Sequence, residues 1–120
     1  MKPVIEKTTF GTIVVEGVEH THDITIGLDG VVRKRKKGLS KKKYGTSHKI
    51  SIEEAEAVYE TGAGLLIIGA GMFKRVQLSE DARNFFQQKG CRVVLKATAA
   101  AAELWNETKG EVLGLFHITC

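Results

Sequence analysis

Two cysteines in 120 residues are too few for the disulfide framework that small secreted domains rely on. No apolar run approaches the ~20 residues that a membrane-spanning helix needs. No basic segment followed by an apolar stretch and a small-residue cleavage site opens the sequence, so no secretory leader is expected. Hydrophobic residues make up 42% and charged residues 27%, ordinary globular proportions that exclude disorder and collagen. No linker, low-complexity tract or internal sequence repeat divides the chain. The expectation is a single domain over residues 1–120, cytoplasmic, with no membrane insertion. Catalytic signatures are missing as well: there is no Walker loop, no paired-carboxylate pattern and no serine nucleophile elbow.

What the chain does have is charge in one place. The net charge is +4, yet eight of the eighteen basic residues lie between Arg33 and Lys43. No acid occurs between Asp29 and Glu53. The remainder of the chain is net acidic, so this is a mildly acidic domain carrying one basic segment. A field that local attracts an anionic surface.

The first half reads as strands. Ile13-Val14-Val15 ends a segment that begins at Thr9, and Glu16-Gly17 follows as a turn pair. From Val18 to Leu28, apolar and histidine positions alternate with polar ones at a period of two, the pattern of a half-buried strand. Asp29-Gly30 is a tight-hairpin signal, and Val31-Val32 opens the next strand. The second half has another rhythm. Ser51 with Glu54 forms a capping box for a helix that Gly62 should end. Ser79 caps a second helix closed by Gly90, and Thr98 caps an alanine-rich third helix that runs to Thr108. Each helix precedes an uninterrupted apolar run: Leu65–Ile68, Val93–Leu95 and Val112–Ile118. Such runs belong to a sheet covered on both faces. The fold class is therefore α/β, with an N-terminal β-hairpin or meander attached. Ile67, Ile68, Val94, Leu113 and Leu115 are expected to be almost fully buried.

Gly69-Ala70-Gly71 follows one of these strands, where dinucleotide loops sit. The fingerprint fails, because Lys74 occupies its third glycine position, the next helix cap is as far away as Ser79, and Leu95-Lys96 supplies no acid for a ribose. A bare turn beside Lys74 and Arg75 remains a candidate for a small anion. His20 and His22, two apart, resemble half a zinc site. Local spacing fixes no third ligand among His48, Cys91, His117 and Cys120, so no metal and no cofactor are assigned. The stretch Lys41, Tyr44, Gly45, Thr46, Ser47 and His48 gathers charge, hydroxyls and an imidazole able to hold phosphate or carboxylate. The same hydroxyls would equally satisfy backbone groups within a structural loop. At the other end, strand alternation puts His117 and Cys120 on opposite faces, so no nucleophile pair is inferred. A nucleic-acid role for residues 33–43 would need stacking aromatics. Only Tyr44 is near, and no recognised nucleic-acid motif is present.

Phe10-Gly11, His22-Asp23-Ile24, Gly30, Ser40-Lys41-Lys42, Tyr44-Gly45-Thr46-Ser47-His48, Ile67-Ile68-Gly69, Gly71 and the closing His117-Ile118-Thr119-Cys120 together resemble one small α/β family. It includes the human adipogenesis-associated cytosolic protein and a mitochondrial respiratory complex I assembly factor. One departure is Ala97, where the family pattern has proline. The resemblance spans nearly the whole chain. It implies a three-layer fold with a mixed central sheet, no established enzyme activity, and relatives that act as assembly or regulatory partners. The expected function is a non-enzymatic binding or assembly module, with the basic segment and the Tyr44–His48 loop as its interaction surface and a protein as its partner. A small-anion binder or enzyme using that loop, Gly69, Gly71 and His117 is the alternative. A weak nucleic-acid binder through residues 33–43 is the second alternative.

Overall fold

The computed structural model describes residues 2–120. Among the described residues, ten strands and four helices follow one another. The expected Thr9–Val15 segment is two strands. β1 (Ile5–Thr9) and β2 (Thr12–Val15) are separated by a turn at Phe10-Gly11, and β3 is Val18–His20. They pair antiparallel in the order β1-β2-β3. The β2–β3 turn holds Glu16 and Gly17, both at positive φ (47° and 79°), as a tight two-residue hairpin requires. This is the N-terminal meander.

The single alternating strand expected from Val18 to Leu28 breaks after His20. Residues 21–22 bend, and β4 (Ile24–Ile26) joins a different sheet. At Asp29-Gly30 only the glycine has positive φ, 77°. The Asp29 carboxylate instead accepts from the Val31 amide and from Arg33, and the turn leads into β5 (Val32–Lys34).

The main sheet runs β5-β4-β10-β7-β9. Here β7 is Leu65–Ala70, β9 is Arg92–Lys96 and β10 is Val112–His117. β10 pairs parallel with β7, and β7 with β9. The contacts β10–β4 and β4–β5 are antiparallel, so the sheet is mixed. Side-chain alternation sends successive residues to two separate cores. Leu66, Ile68, Ala70, Leu113 and Leu115 face one, with Ala55, Ala82 and Phe86 from two helices. Ile67, Val112 and Phe116 face the other, with Ile5, Ile13, Ala101 and Trp105. The result is three layers: α2 (Ile52–Val58) and α3 (Glu80–Gln88), the sheet, then α4 (Thr98–Glu107) with the meander. Glycines admit the aromatics of the second core: a Cβ on Gly114 would lie 2.7 Å from the Phe116 ring and 3.0 Å from that of Trp105.

Ile67, Ile68, Leu113 and Leu115 are buried as expected. Val94 is only partly buried, because β9 is an edge strand with one neighbour. Two helix boundaries also differ. α2 stops at Val58, and Gly62 (φ 97°) lies in the loop beyond. α4 has Ala97 at its N-cap without a side-chain cap bond. Thr98 is the first helical residue, and its hydroxyl is used elsewhere. One further pair, β6 (Lys49–Ile50) with β8 (Gln77–Leu78), is parallel and too short to register as periodicity. No helix among the described residues is long and apolar enough to cross a membrane.

Candidate functional site

The basic segment enters the structure through its one buried basic residue. Arg35 follows β5, and its side chain is wholly buried. Its Nε donates to Glu54 Oε2 at 2.6 Å and Nη2 to Glu54 Oε1 at 3.1 Å. Nη1 donates to Asp23 Oδ2 at 2.9 Å, and Nη2 also reaches the Ser47 carbonyl at 2.7 Å. Two carboxylates around one planar guanidinium form the charge-assisted, forked arrangement for which arginine is suited.

The capping box at Ser51 is half made. The Ser51 hydroxyl accepts from the Glu54 amide at 3.1 Å, but the Glu54 side chain does not return to the cap. It goes to Arg35 and accepts from Ser40 Oγ, while the Ser51 amide donates to that same serine oxygen at 2.9 Å. Ser40 is an interior residue of α1 (Gly38–Tyr44). It ties the lysine-bearing helix to α2.

Asp23, at the break between β3 and β4, joins this network to the end of β10. Its Oδ1 accepts from the Ile118 amide at 3.0 Å, and its Oδ2 is 2.8 Å from His117 Nδ1. Burial would raise its pKa. The bond from His117, the bond from Ile118 and the charges of His117 and Arg35 outweigh that and hold it at about 2. A folded-state value below the unfolded ~3.9 means stability that is fully present above about pH 4. It is lost as pH falls towards 2. About 2 kcal/mol rides on Asp23, so acid titration of the fold should show a loss of that size across this window, flattened in Asp23→Asn. An unchanged profile in the variant would show that other carboxylates govern acid unfolding.

β10 ends at His117, and the residues after it run on beside the turn that follows β7. The Thr119 carbonyl accepts from the Met72 amide at 2.8 Å. Gly71, at φ 95°, presses so closely on the tail that a Cβ would lie 2.5 Å from the Cys120 carbonyl carbon and 2.8 Å from the His117 ring. Here Cys120 Sγ lies 3.9 Å from His48 Nε2. The rings of His48 and His117 meet edge to face, with centroids 5.3 Å apart. Burial, together with the nearby His117 and Arg75, pushes the His48 pKa down, so this imidazole is neutral near pH 7.

Of the residues singled out in the sequence, the structure joins His48, Gly71 and His117. Ser47 contributes its carbonyl to Arg35, and Thr46 Oγ1 accepts from the His48 amide at 3.1 Å. Gly45 (φ 73°) is the left-handed C-cap of α1, its amide bonded to Lys41 O at 2.8 Å. The Tyr44 ring lies under Lys49 and Lys43 ammonium groups, and Lys41 is exposed. Gly69 is a packing position, where a Cβ would meet the Phe116 ring at 2.8 Å. Three of the turn's amides are engaged: Gly71 N donates to Thr98 Oγ1, Met72 N to Thr119 O and Lys74 N to Gly71 O. Sequence reasoning does not single out Asp23, Arg35 or Glu54, and it separates Cys120 from His117. Asp23 falls on the polar parity of an apparent strand, and Arg35 is hidden in a run that reads as solvated charge. Glu54 reads as a cap, and Cys120 is set apart by an alternation that in fact ends at His117.

With this geometry in hand, the chain compares closely with known proteins. Residues 5–116 match the family described as protein of unknown function, DUF498/DUF598. The chain belongs to that family. Among solved structures it is similar to a conserved hypothetical protein of Pyrococcus horikoshii. The two share 34% identity over 97% of this chain and 98% of that one, with a TM-score of 0.90. A second structure similar to this DUF498 chain, MT938, is 28% identical over 99% of this chain and all of that one, with a TM-score of 0.83. The match to a Mth938-like domain protein of Bordetella pertussis covers 97% of this chain and 85% of that one. At 17% identity and a TM-score of 0.64 it shares the fold. The DUF498 fold is thus the three-layer α/β arrangement with the mixed five-stranded sheet.

Proposed function

We propose that this chain is a non-enzymatic binding module that docks an acidic protein partner through the lysine face around α1. One observation carries the reading. Arg35 anchors the basic segment inside the protein, while Lys34, Lys36, Lys37, Lys41 and Lys42 are exposed. Among the described residues none of these five has a carboxylate within salt-bridge distance, whereas Arg33 and Lys43 are paired with Asp29 and Glu53. Unpaired cations on an ordered scaffold steer and orient an oppositely charged surface at little further entropic cost. The resemblance to an adipogenesis-associated cytosolic protein and a mitochondrial complex I assembly factor supports a partner-binding role, and the likeness to the cytosolic relative supports placing it in the cytoplasm. The alternative, a small-anion site or enzyme at His48, Gly71 and His117, has fewer backbone donors to offer an anion, because the Gly71, Met72 and Lys74 amides are used internally.

The test compares the wild type with a variant carrying Lys36, Lys37, Lys41 and Lys42 all changed to Gln. Both are used for capture from the source cell, followed by affinity measurement with the purified captured protein. An acidic protein is expected to bind the wild type and to lose affinity about tenfold or more in the variant. Nucleic acid, tested by gel shift, is expected to bind only at low salt and without sequence preference. Equal affinity of both proteins for the partner, or tight nucleic-acid retention at physiological salt, would overturn the reading.

A further inference from the structure

His48, His117 and Cys120 form a second constellation, independent of the lysine face. One ligating atom from each lies within 4.8 Å of the other two, and three separate chain segments fix their backbones. His48 O accepts from Gln77 N at 2.7 Å where β6 meets β8. His117 O accepts from Thr98 Oγ1 at the start of α4. Cys120 is held against Gly71.

Hydrogen bonding also sets which atom of His117 is available. Asp23 receives the Arg35 guanidinium and the Ile118 amide, so it is an acceptor toward the imidazole too. The His117 proton in the neutral ring therefore sits on Nδ1. That leaves the lone pair on Nε2, which now accepts from Thr119 Oγ1 at 3.1 Å. A carboxylate fixing the tautomer of a histidine from behind is the outer-shell arrangement found at metal-ligating histidines.

We propose that His48, His117 Nε2 and Cys120 Sγ bind a single zinc-class divalent ion, with Asp23 as the positioning residue behind His117. Two imidazoles and a thiolate are a borderline-soft set that suits Zn²⁺ over Mg²⁺ or Ca²⁺. Metal–nitrogen distances of about 2.0–2.1 Å and a metal–sulfur distance of about 2.3 Å put tetrahedral ligands roughly 3.3–3.6 Å apart. The cluster reaches this by closing about one ångström, through rotation of the half-buried His48 and Cys120 side chains. Binding releases the Cys120 thiol proton to solvent, and Thr119 Oγ gives up its contact with Nε2. Three protein ligands leave a fourth position open to water or to a donor from a partner. His20 and His22 have rings 5.9 Å apart, but that pair gathers no third ligating side chain among the described residues.

Cobalt(II) titration of the full chain tests the assignment, because its thiolate charge-transfer band and intense tetrahedral visible bands report ligand type and geometry. The wild type should take up one Co²⁺ per chain with both signatures, be displaced by Zn²⁺, and melt at a higher temperature as Zn²⁺ is added. Cys120→Ala should abolish the charge-transfer band while Cys91 remains present. His48→Gln should weaken binding by about tenfold or more. Both changes are at half-exposed positions, so the variants should fold, and circular dichroism checks that they do. A variant with His20→Gln and His22→Gln should behave as wild type. Absence of a thiolate band in the wild type, its persistence in Cys120→Ala, or loss of binding only in the His20/His22 variant would each overturn the proposal.

Discussion

Arg35→Ala is expected to lower unfolding free energy by about 3–5 kcal/mol, the cost of stranding buried charges without their partner. The reason is its company, since Asp23 and Glu54 are both buried and both take hydrogen bonds from this guanidinium. Deleting it leaves two carboxylates facing each other in a low-dielectric space, along with a freed Ser47 carbonyl. Arg35→Lys should recover only part of the loss, because an ammonium cannot reproduce the three-way fork. Urea unfolding with both variants decides the matter. A loss below about 1 kcal/mol for the alanine, the scale of an exposed pair, would mean that water replaces the arginine.

Leu113→Ala should cost about 2–5 kcal/mol and should fall towards the upper end. Leu113 is 1% exposed and sits on β10, which has a hydrogen-bonded strand on each side and helices packed over its face. Ladders on both flanks prevent the backbone from sinking into the vacancy, so the lost contacts are not recovered. Val94→Ala is the internal comparison, on an edge strand and partly buried. It should cost well under half as much. Equal losses by chemical denaturation would contradict the difference in packing between centre and edge.

The layered core was legible because it depends on local pattern. The unbroken apolar runs at Leu65–Ile68 and Val112–Ile118 have one physical use, a strand covered on both faces, and those strands stand at the middle of the sheet. Ser51 and Ser79 were legible for the same reason, since a cap answers to the amides three residues on. The polar network was not. The bonds from Asp23 to His117 and Ile118 span more than ninety positions, and no periodicity encodes a partner that far away. A buried arginine inside a basic run looks the same as its solvated neighbours. Cys120 meets His48 in the residues beyond the end of β10, where only a glycine at position 71 leaves space for the tail. Where the resemblance weighted Tyr44–His48 as one signature, the structure divides it. Gly45 stops a helix, Ser47 holds Arg35, and His48 alone faces His117.

The placement of β10 has a consequence for how the protein comes into being. This strand lies between β4, from the first quarter of the chain, and β7, from the middle. Until residues 112–117 are available, β4 has only β5 beside it and β7 only β9, so the sheet stands as two separate halves. Joining the halves through β10 and β4 pairs Gly114 with Ile26, a long-range closure that costs more entropy and time than the local ladders on either side. In that interval the apolar β7 has a bare edge, the template on which misassembly starts. The nascent protein is thus most exposed to aggregation, and to chaperones, just before β10 arrives.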